Sequence, residues 1–533
     1  MIRSGWTRLT TAPPAALAAG LAAVHLLLAG LAFDPTPHSG GDNVAYLTLA
    51  GSLVDLGAYL QLWDPAGGPH AQYPPGFPAL LAAAMAVGIT SWTALKTLVV
   101  LTSALAVALS YRWMRARGEP GMALGAGLLV AIAPGVVENS YWILSDVPFW
   151  AATMGALWFA ARDRPLPAAA LAFAALLLRA AGIPLVVAVA LWLALRRRWA
   201  AAAGVLGLLV CLAVLWTLRA RGTDVPYASD LWLANPYAPD QGTIGIGGLL
   251  DRVRENGRLY AFGILMALLA GADGVIADLV AGGLVALAAV GWARRVRSPG
   301  VPELMLPLYL GLVLAWPAPW AADRLILPIL PVLLLYAAEG AGVLPERVPS
   351  MVRLGGVALV LIFATPALVA QQAWGAACRE AASEFPSRCL HPDLRSFLAL
   401  ARWTDGRLPD GAAVLSRKPT FFHFFSGVPG RAYPFTTRPG ALFEEAERAG
   451  ARYVVLDRLG AVAAAYLLPL VAANPHRFCA VQAIEVEGQE AVLLGILPAP
   501  AAGPPAVEPE PPPAGVQRPA SLSFEVCPAG YAR

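Results

Sequence analysis

Phe33-Asp34-Pro35-Thr36-Pro37-His38-Ser39-Gly40-Gly41-Asp42-Asn43 leads, by way of Tyr46 and Tyr59, into Gln72-Tyr73-Pro74-Pro75-Gly76-Phe77-Pro78. This stretch directly follows an apolar run at 14–33, which is long enough to cross a bilayer and is read as a retained helix. It is the first place in the chain where polar side chains meet a membrane edge. Two short apolar segments lie within it, at 43–57 and 75–89. Both are shorter than the roughly 17–25 residues of a crossing, so each is expected as a juxtamembrane helix. Thr48, Ser52 and Asp55 put a narrow polar stripe on the first of them.

Composition supports the membrane reading. The 533 residues are 58% hydrophobic and only 14% charged, against about 25% charged for a soluble domain. Mean hydropathy is +0.61, so lipid must be the solvent for most of the chain. The net charge of +4 is spread over short clusters between apolar runs. Such spacing follows the positive-inside rule and argues against nucleic-acid binding.

Those clusters set the expected topology. They are Arg3/Arg8, Arg112/Arg115/Arg117, Arg162/Arg164, Arg196/Arg197/Arg198, Arg294/Arg295/Arg297 and Arg347/Arg353. Placing all of them in the cytoplasm demands an even number of crossings between successive clusters. The result is a polytopic α-helical membrane protein of about eleven transmembrane helices. They fall near 14–33, 94–112, 121–139, 146–161, 166–178, 183–195, 199–218, 275–293, 302–318, 325–343 and 354–372. The N-terminus is then cytoplasmic, and long outer loops cover 34–93 and 219–274. The second carries Tyr227, Asp230, Trp232, Asn235-Pro236-Tyr237, Asp240 and Arg252/Arg254/Arg258. Arg179 sits between two short helices at their outer end, where a dent in the outer face is expected.

Beyond residue 372 the charge density rises and the apolar runs shorten. Residues 412–415 and 453–456 read as buried strands, 396–404 and 439–449 as helices, and 478–486 with 489–497 as a hairpin closing at Glu487-Gly488. The expected organisation is a membrane part at 1–372, a small extracytoplasmic α/β domain at 373–498 and a Pro-rich tail at 499–533. Cysteine use agrees. Cys211 lies in an apolar helix, while Cys378, Cys389, Cys479 and Cys527 fall in the outer part, where disulfides form. Four cysteines allow three pairings. Cys378–Cys389 and Cys479–Cys527 are expected, with four free thiols the alternative. In the run Arg417-Lys418-Pro419-Thr420-Phe421-Phe422-His423-Phe424-Phe425, a core helix with a basic start competes with a membrane-packed flap.

Several residues carry chemistry. Asp42 follows two glycines and precedes a helix, so an N-cap and a catalytic base both fit. Asp146 opens a helix and meets the same two readings. Glu138 and Asp146 together could join Asp42 around a divalent cation, although no motif fixes their spacing. His38 and His70 share the first loop, and an ordinary loop role competes with ligand contact for each. Arg324 and Arg179 are candidates for holding an anion, against snorkelling membrane-edge anchors. No metalloprotease, phosphate-loop or dinucleotide motif occurs.

The order of an outer-loop Asp42, Tyr46 four residues on, a small-residue helix and Tyr73-Pro74-Pro75-Gly76-Phe77-Pro78 resembles the GT-C superfamily. Those are membrane glycosyltransferases that use polyprenyl-phosphate sugars, among them the protein O-mannosyltransferase and lipid A aminoarabinose transferase branches. Ser145-Asp146-Val147-Pro148 resembles the acidic site of the family's second outer loop. Asp323-Arg324-Leu325-Ile326-Leu327-Pro328 resembles the start of a late helix. One departure stands out: where some relatives have a Lys before the Pro-Pro pair, this chain has Tyr73. The resemblance implies a polyprenyl-phosphate sugar donor, a lipid, glycan or protein acceptor, and membrane lipid as partners. It also implies Asp42 as base, Asp146 as a second catalytic acid residue, and Arg324, Arg179 and Tyr73 at the donor phosphate. Tyr46, His70 and Glu138 would line the substrate loop. A phosphate is already a good leaving group, so such a site needs a base and cations rather than a strong general acid. A lipid or solute transporter and a non-catalytic scaffold are the competing functions. Transporters place polar residues at mid-membrane and use internal repeats, and neither is evident here.

Overall fold

The computed structural model describes residues 12–38, 42–221, 230–343, 348–498 and 524–532. Arg3, Arg8, Gly40, Gly41, Tyr227, Arg347 and the Pro-rich stretch at 499–519 lie outside the described residues. The chain forms two compact units. The first comprises Met1–Pro35, Ala71–Trp232 and Ile244–Arg379; the second comprises Thr36–His70, Leu233–Thr243 and Glu380–Arg533.

Unit one is helical. Its elements begin with α1 (Pro14–Ala32) and, after α2 (Asn43–Leu56) of the second unit, continue with α3 (Gly76–Ala86), α4 (Trp92–Arg117), α5 (Pro120–Ile132), α6 (Pro134–Asn139) and α7 (Asp146–Ala161). There follow α8 (Pro165–Leu178), α9 (Ile183–Leu195), α10 (Trp199–Arg219), α11 (Ile246–Arg258), α12 (Leu265–Ala270), α13 (Val275–Arg295), α14 (Val301–Ala315), α15 (Leu330–Ala341) and α16 (Val348–Glu380). Five segments are long and apolar enough to cross a membrane: α1, α4, α10, α13 and Val360–Glu380 of α16. The protein is a multi-pass membrane protein.

Each of the eleven expected segments is helical, but several are shorter than anticipated, for local reasons. Pro134 drives Ala133 to an extended backbone, φ −56° and ψ 124°, and splits the third segment into α5 and α6. Prolines at 317, 328 and 331 divide the stretch after α14 into 3-10 turns at Ala318–Trp320 and Asp323–Ile326 before α15 starts. The eleven-crossing count is therefore not matched by eleven full-length spans. The 219–274 segment also differs from a loop: α11 runs through a π-helical turn, Leu259–Ile264, into α12, whose Met266, Leu268 and Leu269 are fully buried.

Packing in this unit depends on close backbone approach. A Cβ on Gly291 of α13 would stand 2.0 Å from the Tyr336 carbonyl oxygen, and one on Gly340 of α15 would stand 1.9 Å from that of Leu287. At the end of α1 the Arg379 guanidinium donates to the carbonyls of Gly30, Leu31 and Phe33 at 3.0–3.3 Å. This caps a helix end that would otherwise leave carbonyls unpaired.

Unit two contains α2, α17 (Pro392–Thr404), α18 (Pro419–Ser426), α19 (Pro439–Ala449), α20 (Leu468–Ala473) and one sheet. The strands are β1 (Val414–Leu415), β2 (Gly430–Arg431), β3 (Tyr453–Leu456), β4 (Phe478–Val486) and β5 (Gln489–Ile496), in the order β2-β1-β3-β5-β4. β1 is parallel to both β2 and β3, whereas β5 is antiparallel to β3 and to β4. The expected hairpin closes at Glu487-Gly488, both at positive φ. Cys479 is bonded to Cys527, and Cys378 and Cys389 are also disulfide-bonded. Among the described residues Cys211 is the free thiol. The first loop is part of this unit: Arg431 of β2 chelates both oxygens of Asp64, and the Gly430 N–H donates to the Trp63 carbonyl at 2.7 Å.

Candidate active site

Asp146 is the first residue of α7, set by Ser145 at the cap position, and it is 3% exposed. Its Oδ1 lies 2.7 Å from Arg179 Nη1, and its Oδ2 lies 3.9 Å from Arg324 Nη1 without a hydrogen bond of its own. Arg179 also donates to Ser145 Oγ at 3.4 Å. Each guanidinium side chain is about one-fifth open, 22% for Arg179 and 23% for Arg324. Three residues spread over 178 positions of sequence thus meet around one buried carboxylate.

The turns that deliver these side chains explain the motifs. Arg179 follows α8 in an extended conformation, and the 3-10 turn Ala180–Gly182 starts α9. The turn is so tight that a Cβ on Gly182 would stand 2.6 Å from the Leu176 backbone. Gly76, which ends Tyr73-Pro74-Pro75-Gly76, abuts the same helix end: its Cβ would stand 2.6 Å from the Leu177 carbonyl oxygen. The Pro-Pro-Gly motif therefore seats α3 on the end of α8, next to the residue that carries the cation. Tyr73 is buried at the start of this seat.

Arg324 is held from the other side. Asp323 Oδ1 accepts from the Arg324 N–H at 2.7 Å, and its Oδ2 accepts from Asn139 Nδ2 at 3.0 Å. Tyr260 accepts from the Ala322 N–H, and Tyr309, stacked on Phe149, donates to the Leu325 carbonyl at 2.7 Å. Glu138, exposed at the end of α6, interacts electrostatically with Asp323.

Asp42, Tyr46 and His70 belong to the second unit. Asp42 occupies the cap position of α2, half-buried, yet its carboxylate makes no capping hydrogen bond. Lys418, before α18, is within electrostatic reach of it, and α2 packs against α18. Burial, with Arg417 alongside, holds the Lys418 ammonium below the ordinary lysine range; Asp42, Asp393 and Asp457 act in the opposite sense. Tyr46 is buried in α2. His70 is fully buried edge-on to Tyr59 and Trp63, with ring centroids 5.4 and 5.6 Å away, which is core packing. His38 is buried, and its carbonyl accepts from Asn43 Nδ2 at 2.6 Å.

Three groups escaped the sequence reading. Asp323 carries no signal in the sequence beyond its place before Arg324, and Asn139 carries none. Lys96, fully buried in α4, donates from Nζ to the Asp34 carbonyl at 2.6 Å and lies 5.7 Å from the Tyr141 ring centroid. A lone lysine in an apolar helix is itself a functional signal. The proposed divalent cation finds a poor fit in the residues present. No three His, Cys, Asp or Glu side chains group together among the described residues, and Asp146 already faces two guanidinium groups.

The helix order, the broken helices around Asp146 and the appended α/β unit define a membrane protein with the GT-C fold, as the sequence resemblance implied. Solved structures bear this out at the level of fold. ArnT from Cupriavidus metallidurans bound to undecaprenyl phosphate superposes with a TM-score of 0.54 at 14% identity, over 94% of this chain and 100% of that one. The archaeal oligosaccharyltransferase AglB from Archaeoglobus fulgidus, in complex with an inhibitory peptide and a dolichol-phosphate, gives 0.52 at 13% identity over 89% and 74%. No protein-family model matches the chain, and no curated protein matches it by sequence.

Proposed function

We propose that this protein is an inverting glycosyltransferase that moves one sugar from a polyprenyl phosphate to an acceptor on the outer face of the plasma membrane. The observation that carries the reading is the pair of partly open arginines, 179 and 324, converging on the single buried carboxylate of Asp146. A guanidinium presents a planar fork to phosphate oxygens, and the 3.9 Å gap leaves Arg324 loosely engaged by its own partner. In the reaction, the bond between the anomeric carbon and the phosphate oxygen breaks, and its electron pair leaves with the polyprenyl phosphate. Arg324 and Arg179 hold that charge. The acceptor oxygen or nitrogen bonds the anomeric carbon from the opposite face, and its proton passes to Asp42. Asp146 positions the two arginines. No step is assigned to a metal.

The same reading puts the N-terminus in the cytoplasm and the second unit outside, and retains 1–372 as the membrane catalytic part and 373–498 as the outer domain. The Cys479–Cys527 disulfide supports an oxidising compartment for the latter. Undecaprenyl phosphate in ArnT and dolichol-phosphate in AglB support the donor class. The test is transfer by purified protein in lipid nanodiscs, supplied with a panel of polyprenyl-phosphate sugars and cell-envelope acceptors. Arg324→Ala and Asp42→Asn should each lower transfer by roughly 10²-fold or more. Full activity in Asp42→Asn, or no transfer from any donor by the wild type, overturns the proposal.

A further inference from the structure

The second unit carries a cluster of buried polar groups that the transfer chemistry does not use. β1, α18, β2, α19 and β3 form two successive parallel crossovers, and the sheet order β2-β1-β3 places β1 between the other two. The connections from β1 and β2 therefore run in opposite directions across the sheet. In open α/β sheets, ligands bind at such a switch point, beyond the carboxyl ends of the strands.

The residues found there are polar. Ser416, Arg417 and Lys418 follow β1, Tyr433 follows β2 and Asp457 follows β3. Ser416 is 0%, Tyr433 2% and Asp457 4% exposed, yet Ser416 Oγ, Tyr433 Oη and Asp457 Oδ2 have no hydrogen-bond partner. Buried polar atoms in native proteins are nearly always paired, so three orphans at one sheet edge call for a ligand. They also share a neighbourhood: Asp457 and Arg417 both act electrostatically on Tyr433, and Arg417 and Lys418 both act on Asp457. Beside them stands an aromatic wall. Arg417 lies 5.4 Å from the Tyr237 ring and 5.8 Å from Phe435, and Phe435 stacks on Tyr466 at an interplanar angle of 17°. Tyr237 is 38% exposed.

We infer that the face at the carboxyl ends of β1, β2 and β3 binds a neutral carbohydrate, through Ser416, Tyr433 and Asp457 with Tyr237 as the ring platform. The chemistry selects that class. Hydroxyls of serine and tyrosine donate and accept, Arg417 donates, and Asp457 only accepts once ionised, a mixture that suits vicinal sugar hydroxyls. Aromatic faces suit the apolar side of a pyranose. An anion would meet the Asp457 carboxylate as well as Arg417 and Lys418, so phosphate is the competing probe for the site. Within the transferase reading, this carbohydrate is the glycan acceptor; the binding itself does not depend on that reading.

Saturation-transfer NMR on the full-length protein in nanodiscs, without donor, tests the site with mannotriose, maltotriose and chitotriose, and with inorganic phosphate as the anionic probe. At least one trisaccharide should bind in the millimolar range or tighter. Tyr433→Phe and Ser416→Ala keep the packing and delete only the orphan hydroxyls, and each should weaken binding by roughly threefold to tenfold. Asp457→Asn should do the same. The idea is overturned if no trisaccharide binds, if binding is unchanged in all three variants, or if phosphate alone is retained. A protein that binds the sugar but transfers nothing keeps this site and sinks the transferase; one that transfers but fails to bind does the reverse.

Discussion

Two ion clusters in the helical unit are alike in pairing arginines with a buried carboxylate and differ in construction. At one, Glu303 of α14 is 1% exposed, and its carboxylate accepts from Arg117, from the Tyr336 hydroxyl at 2.5 Å and from the Gly300 N–H at 2.8 Å. Next to it Arg295 chelates Glu339 and donates to the Arg117 carbonyl. Both carboxylates are engaged at each oxygen. At the other, Asp146 keeps one oxygen without a hydrogen bond, and its two arginines are partly open. A closed network fixes helices. An open one has capacity left for a ligand, and the contrast separates scaffold from site more sharply than the number of charges does.

The largest expected effect breaks the closed cluster. Glu303→Ala leaves Arg117 without its carboxylate and the Tyr336 hydroxyl unpaired where α4, α14 and α15 meet. Removing one partner of a buried pair costs about 3–5 kcal/mol, so the variant should be recovered at low yield, with a clearly lower melting temperature in detergent. At Asp146→Asn the opposite division is expected. Both arginines can reach water, so thermal stability should change by no more than about 1–2 kcal/mol, while transfer should fall by roughly 10²-fold. Equal losses of stability in the two variants would erase the distinction between the clusters.

Much of this was legible in the sequence, and the pattern of what was not has a physical cause. Apolar runs between Arg clusters gave the eleven expected membrane segments, because burial in lipid is a local property of composition, but not α11 and α12, which lie in the stretch read as an outer loop. Glu487-Gly488 gave the C-terminal hairpin, because positive φ is written in residue type. Pairings across the chain are a different matter. Arg117 and Glu303 are 186 residues apart, Asn139 and Asp323 184, and no periodicity connects them. β2 is two residues long and starts at Gly430, directly after Pro429, too short for any alternation to mark it. The placement of 36–70 with the C-terminal unit was hidden for the same reason: it depends on Asp64 meeting Arg431.

A smaller effect comes from Asp457 and extends the comparison to the second unit. Burial raises its carboxyl from 3.8 to about 6; the Leu459 N–H, Arg417 and Lys418 pull it down, and Asp393 pushes it up. A folded-state value above the unfolded one means the folded domain binds the proton more tightly. The associated stability is complete below pH 3.8 and is lost as pH rises through about 6. Asp457→Asn cannot titrate, so melting curves from acid to neutral pH should show the wild type losing stability relative to the variant as pH rises. Parallel curves would mean that the carboxylate is already satisfied in the folded protein.

The smallest effect belongs to a third kind of ion cluster. Asp163 contacts Arg196 at 3.0 Å and Arg198 at 3.1 Å, between the 2.7 and 3.9 Å found at Asp146. Its side chain is 48% exposed, and its partners are 48% and 39% exposed, so water and salt screen the attraction. Asp163 also sits at φ 55°, a left-handed position that Asn tolerates as well as Asp does. Asp163→Asn therefore removes the charge without straining the turn between α7 and α8. Stability should change by less than about 1 kcal/mol, and the difference should shrink further at high salt. Transfer should stay at the wild-type level. If this variant instead matched Asp146→Asn in lost activity, an exposed pair at a helix turn would be doing what only the open, buried carboxylate is built to do, and the ranking of the three clusters by burial would fail.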